Sequence, residues 1–113
     1  MVDDQLAQKI NGYIKNEGIK HDKDKVDLTY FSQSILEGPA RVFEFGAKKY
    51  SRNNWKQLEN GYERFLQASQ RHLASIYDGE WFDNVGDGHS DLPHIDHAIV
   101  SLLMARWHYY NKP

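Results

Sequence analysis

The chain contains no cysteine, so neither a disulfide framework nor thiolate chemistry is open to it. Nowhere do apolar residues run for the ~20 positions that a membrane-spanning helix requires. The opening residues, Met1-Val2-Asp3-Asp4, are acidic and carry no signal-peptide core, so the expected location is the cytoplasm, that of the host cell for a phage-encoded chain. A formal net charge of -2 argues against broad nucleic-acid binding by phosphate neutralisation, although a local basic cluster can still hold one nucleotide. The sequence has no glycine-rich phosphate loop, no Rossmann fingerprint and no serine-nucleophile signature. No segment alternates with period two for long enough to define a strand.

What the chain has is helical periodicity and aromatics. Its 113 residues allow one domain, 1–113, with a modest core. Aromatic residues make up 13% of it, more than such a core hides, so some should face a ligand or a second subunit. Four helical regions are expected. The first spans about Asp3 to Asn16 and is followed by a charged loop, Lys20 to Lys25. The second spans Thr29 to Lys49, and Gly38-Pro39 should divide it, because proline removes an amide and clashes with the preceding turn. The third runs from Asn60 to Tyr77 and stops at Asp78-Gly79. The fourth runs from Leu92 to Tyr110, with Asp91 as N-cap and a core face of Ile95, Ala98, Ile99, Leu102 and Leu103. The expected fold is an all-α bundle of about four helices, completed by oligomerisation to at least a dimer.

The most informative block is Phe45-Gly46-Ala47-Lys48-Lys49-Tyr50, followed by Asn54-Trp55. A helix ends there in two ammonium groups beside flat aromatic faces, which suits a ligand carrying both phosphates and a base. The lysines also have a structural use, opposing the negative end of the helix dipole. On the fourth helix His94, His97, Ser101, Met104 and His108 recur at spacings of three and four and so share a stripe. His94 and His97 could grip a divalent ion or a phosphate, with Glu80, Asp83, Asp87, Asp91 and Asp96 nearby, or could simply pack between helices. Arg64 and Arg71, seven apart, share a face of the third helix, where Arg71 offers a forked phosphate contact next to His72. Glu37, Arg41, Glu44 and Lys48 form either a solvated ion-pair ladder or an approach to that basic corner. Tyr50, Trp55 and Trp81 are candidates for base stacking or for core filling.

Taken with Arg71-His72-Leu73, Gly79-Glu80 and Leu92-Pro93-His94-Ile95-Asp96-His97, that block resembles the phage dATP/dGTP diphosphohydrolase-type domain. This family is usually discussed beside the all-α MazG-like pyrophosphohydrolases. The similarity covers about Lys20 to Tyr109 and leaves the first helix outside. It implies an oligomeric helical protein that hydrolyses purine deoxynucleoside triphosphates to monophosphate and pyrophosphate with a divalent metal, magnesium or manganese. The implied catalytic residues are Glu37, Glu80 and Asp83, with Asp83, His94 and His97 toward the metal. Lys48, Lys49, Arg64 and Arg71 would hold the phosphates, Tyr50, Asn54 and Trp55 the nucleoside, and Arg41 and His72 would complete the substrate-binding set. The alternative is a non-catalytic phage protein that sequesters a nucleotide or a cyclic or ADP-ribose-derived immune signal.

Overall fold

A computed structural model describes residues 18–112, and the helix expected over Asp3 to Asn16 lies outside them. The chain divides into two compact units at Tyr30–Phe31. In the described part of the first unit, Asp27 accepts bonds from the Thr29 hydroxyl and from its amide at 2.9 Å, which fixes a short 3-10 turn over Leu28–Tyr30. Those bonds, the hydroxyl's first, hold the Asp27 carboxyl below the usual carboxylate range.

The second unit carries three α-helices: α1 (Gln33–Lys49), α2 (Gly61–Tyr77) and α3 (His94–Tyr110). A 3-10 turn, Asn54–Gln57, lies between α1 and α2. The described residues contain no strand, only an isolated antiparallel bridge between Phe82 and Pro93. The protein is all-α in its described part. α3 packs extensively on α2 and more narrowly on α1, while α1 and α2 share no extended contact.

Gly38-Pro39 does not divide α1, contrary to the sequence expectation, and the helix runs through both residues. Much of the steric objection to a helical residue before proline comes from its side chain, and glycine has none. Gly38 also meets α3 closely: a Cβ built there would lie 2.5 Å from the Asp96 carboxylate oxygens. The helix ends with Lys48 and Lys49 in its last turn and the Tyr50 amide bonded to the Gly46 carbonyl at 3.1 Å.

α2 stops where Asp78-Gly79 predicts. Gly79 is left-handed (φ 89°), and the amides of Asp78, Gly79 and Glu80 close onto Ala74, Ile76 and Ser75 carbonyls at 2.9–3.0 Å. α3 begins two residues later than expected. Asp91 is not its N-cap: it sits at φ 61° with its carboxylate 3.1 Å from His89 Nδ1. The Phe82–Pro93 bridge keeps the chain extended until Pro93, which takes the cap position.

The largest correction concerns which side of α3 faces inward. His94, Ala98, Ser101 and Ala105 are buried, while Ile95, Ile99, Leu102 and Leu103 of the expected core face are 39–48% exposed. The α2–α3 seam is built from small residues. Ser69 is 2% exposed and donates to the Ala98 carbonyl at 3.2 Å, and Ala105 is 1% exposed. At its far end Gly61 lies directly against the His108 ring. Close backbone approach selects small residues at this seam; Val100 is buried as well, while Ile95, Ile99, Leu102 and Leu103 are left on the outer arc.

Candidate functional site

Three imidazoles meet where the end of α2 faces the start of α3. His72 Nδ1 and His94 Nδ1 are 2.8 Å apart and share a hydrogen bond. The His72 and His97 rings stack at 4.6 Å with an interplanar angle of 12°. A loop brings a carboxylate to this group. After Gly79 the chain returns antiparallel to itself, with the Asp83 amide on the Leu92 carbonyl (2.9 Å), the Asp91 amide on Asp83 (2.7 Å) and the His94 amide on Trp81 (2.8 Å). That register sets Asp83 Oδ2 3.5 Å from His97 Nε2.

Ser90, absent from the sequence reading, joins the two. Its amide and hydroxyl donate to Asp83 Oδ2 at 3.2 and 3.0 Å, and its Oγ is 2.6 Å from His97 Nε2. Nothing local marks Ser90 in the sequence, because its place depends on the pairing of Phe82 with Pro93.

The electrostatics follow from partial burial of like groups. Burial, reinforced by His97 and His94, pushes the His72 imidazole down to about 4, with Asp83 opposing. Burial also lowers His97, against the pull of Asp83. Both rings are therefore neutral near pH 7. Burial works to raise the Asp83 carboxyl, but the two Ser90 bonds and the neighbouring imidazoles hold it below the ordinary range.

A second assembly forms beyond the end of α1. Tyr50, Asn54 and Trp55 line one apolar cavity of about 160 Å³ together with Phe43, Phe65 and Met104. Trp55 is half-buried: its ring meets Trp107 edge-on at 5.3 Å and lies 6.2 Å from Phe43. Trp55 is thus both a cavity wall and a core residue. Lys49, next to Tyr50, reaches the loop, with Nζ 3.4 Å from the Gly88 carbonyl and 5.4 Å from the Phe45 ring centroid.

The remaining predicted residues lie apart from these two assemblies or on open surface. Arg71 is exposed beside His72, near enough to contribute to its lowered pKa. Arg64 bonds the Glu59 carbonyl at 3.4 Å. Glu37 and Arg41 face each other at 3.9 Å on the exposed side of α1, and Glu37 also accepts from Gln33 at 2.9 Å. Lys48 and Glu80 are exposed. Trp81 is 48% exposed and does not line the aromatic cavity.

Imidazoles with one carboxylate form a donor set that suits a borderline transition metal better than magnesium. Their arrangement does not make a metal site, however. Asp83 Oδ2 already accepts two Ser90 bonds, and among the described residues no three His, Asp or Glu side chains are placed to hold an ion.

The sequence matches the family described as dATP/dGTP diphosphohydrolase, N-terminal, over residues 15–113. It is also 34% identical over 96 residues to a protein of Salmonella phage PMBT28 named dATP/dGTP diphosphohydrolase. That match covers 85% of this chain and 31% of the relative, so the chain spans about a third of the relative's length. No solved structure matches it. No helix among the described residues is long and apolar enough to cross a membrane. With the family matched over nearly its whole length, the chain belongs to the dATP/dGTP diphosphohydrolase N-terminal family.

Proposed function

We propose that this chain hydrolyses purine deoxynucleoside triphosphates to the monophosphate and pyrophosphate. The observation that carries the reading is a continuous run of contacts from an aromatic cavity to a cluster of imidazoles, of which His72 and His97 are held neutral near pH 7 by burial. It passes from Tyr50 to the adjacent Lys49, from Lys49 to Gly88, and along the loop to Ser90, Asp83 and His97. A base enclosed by Tyr50, Trp55 and Phe65 places its phosphates toward Lys49 and Arg71, whose cations offset the charge of the departing pyrophosphate. The cluster then faces the phosphate under attack. A magnesium or manganese ion accompanies the triphosphate as its counterion and belongs to the substrate.

The direct test incubates the chain with each deoxynucleoside triphosphate plus magnesium or manganese and separates the products. Monophosphate and pyrophosphate from the purine substrates are expected. Diphosphate and phosphate would exclude the reaction proposed, and intact nucleotide recovered in a stoichiometric complex would point to sequestration.

Gly46 separates the cavity from the cluster experimentally. It lines the cavity, and among the described residues nothing lies within 4 Å of a Cβ built there. Gly46→Leu should stabilise α1 by roughly 0.5–1 kcal/mol through helix propensity. By filling the cavity it should also weaken purine nucleotide binding at least tenfold. Unchanged affinity in calorimetry would remove the cavity from the binding site.

We further infer that a second copy covers the outer arc of α3. Apolar residues all round a helix mean that it is enclosed on all sides, yet Ile95, Ile99, Leu102 and Leu103 remain 39–48% exposed. The chain should scatter light as a dimer or larger at micromolar concentration, and Leu102→Glu with Leu103→Glu should reduce it to a monomer with unchanged helix content. A monomeric wild type would refute this.

A further inference from the structure

The bonds around Ser90 determine which nitrogen of His97 carries the proton. A serine hydroxyl has one hydrogen and two lone pairs. The Asp83 carboxylate can only accept, so the hydrogen of Ser90 Oγ goes to Asp83 Oδ2, 3.0 Å away. The Leu92 amide can only donate, and at 3.1 Å it takes one lone pair. The lone pair left over faces His97 Nε2 at 2.6 Å, so that nitrogen must be the protonated one. Its partner, His97 Nδ1, bonds no described group. Among the described residues no buried side-chain nitrogen or oxygen is left without a partner, so Nδ1 is not sealed from water.

We propose that Ser90 is a positioning residue that ties Asp83 to His97, fixing the imidazole as its Nε2–H tautomer and presenting Nδ1 as the general base toward the nucleotide. This rests on the pyrophosphohydrolase reading. As a water oxygen bonds the α-phosphorus, its proton passes to His97 Nδ1 and the bond from the α-phosphorus to the bridging oxygen of the β-phosphate breaks. That oxygen leaves with its electron pair as part of pyrophosphate. The resulting imidazolium keeps its Nε2–H on Ser90 Oγ, and Asp83, bonded to the same hydroxyl and 3.5 Å from Nε2, opposes the new charge. Asp83 acts through Ser90, as a carboxylate orienting a catalytic histidine does. His72 stacked at 4.6 Å holds the ring plane.

The test has two arms. Long-range nitrogen–proton spectra of histidine-labelled protein, recorded at pH 7 with chelator present, should show His97 neutral with its proton on Nε2. In Ser90→Ala that signal should become a mixture of tautomers, and in Ser90→Thr, which restores a hydroxyl, it should return. In turnover, Ser90→Ala should lower kcat about 10- to 100-fold at nearly constant KM. A wild-type His97 protonated on Nδ1, or charged, overturns the proposal, and so does a Ser90→Ala protein with unchanged tautomer and kcat. If the wild type hydrolyses no nucleotide while the spectra show the Nε2–H form, the functional reading fails and the relay stands. Should Ser90→Ala misfold, the wild-type spectrum and Ser90→Thr still decide.

Discussion

Gly61→Ala should lower unfolding stability by about 3 kcal/mol, near the upper end of what overpacking costs. A Cβ at this position falls well inside 3.0 Å of the His108 ring. The ring cannot swing away at small cost. Its Nε2 donates to the Trp55 carbonyl at 2.8 Å, and its face stacks on Phe65 at 5.6 Å with an angle of 29°. Helix propensity favours alanine by only about 1 kcal/mol, so the clash decides the sign. For a chain of this size the loss corresponds to a Tm lower by roughly 12–20 °C. Gly46→Ala supplies the contrast: its Cβ meets nothing within 4 Å among the described residues, and it should raise Tm slightly. Calorimetry of the two variants beside the wild type checks both signs. Equal stability for Gly61→Ala would mean that the α2–α3 seam is looser than described.

Asp83→Asn should reduce pyrophosphate release about 10²- to 10⁴-fold while leaving the fold intact. The amide has the size of the carboxylate and its oxygen can still accept from Ser90, so the loop should keep its register. What disappears is the negative charge opposite the imidazolium that forms on His97, together with the guarantee that the Ser90 hydrogen points toward residue 83. Loss of a charge that supports a catalytic histidine commonly costs this much. The loss should fall on kcat, since Asp83 bonds Ser90 and His97 and lies outside the aromatic cavity. Steady-state assays on purine deoxynucleoside triphosphates, with circular dichroism as the folding control, check this. A variant retaining more than a tenth of wild-type kcat would remove Asp83 from the catalytic machinery.

The helices of the described residues were legible in the sequence where their signals are local. The period of α2 and its Asp78-Gly79 stop need no tertiary information. α1 was read as broken because proline's cost is local, whereas the relief supplied by Gly38 and its contact with Asp96 is not. On α3 the expected core face holds for Ala98 and fails for Ile95, Ile99, Leu102 and Leu103, which hydropathy ranks above Ser101 and Ala105. Close helix approach ranks them the other way. Within the site, Tyr50, Asn54 and Trp55 could be grouped from a few residues of sequence, and they share one cavity. His72 is expected from sequence only as a substrate-binding residue, and its bond to His94 across 22 positions has no local signature. Ser90 was invisible for the same reason: its role exists only once the loop has closed on itself.

α3 buries histidines, small residues and Val100 and turns Ile95, Ile99, Leu102 and Leu103 to the outside, which leaves little of its circumference uncommitted. Random substitution should therefore be tolerated least between His94 and Tyr110 and most along the Glu37–Arg41–Glu44 edge of α1. A deep mutational scan would draw the helix as a nearly solid band of intolerance, where an ordinary amphipathic segment shows stripes.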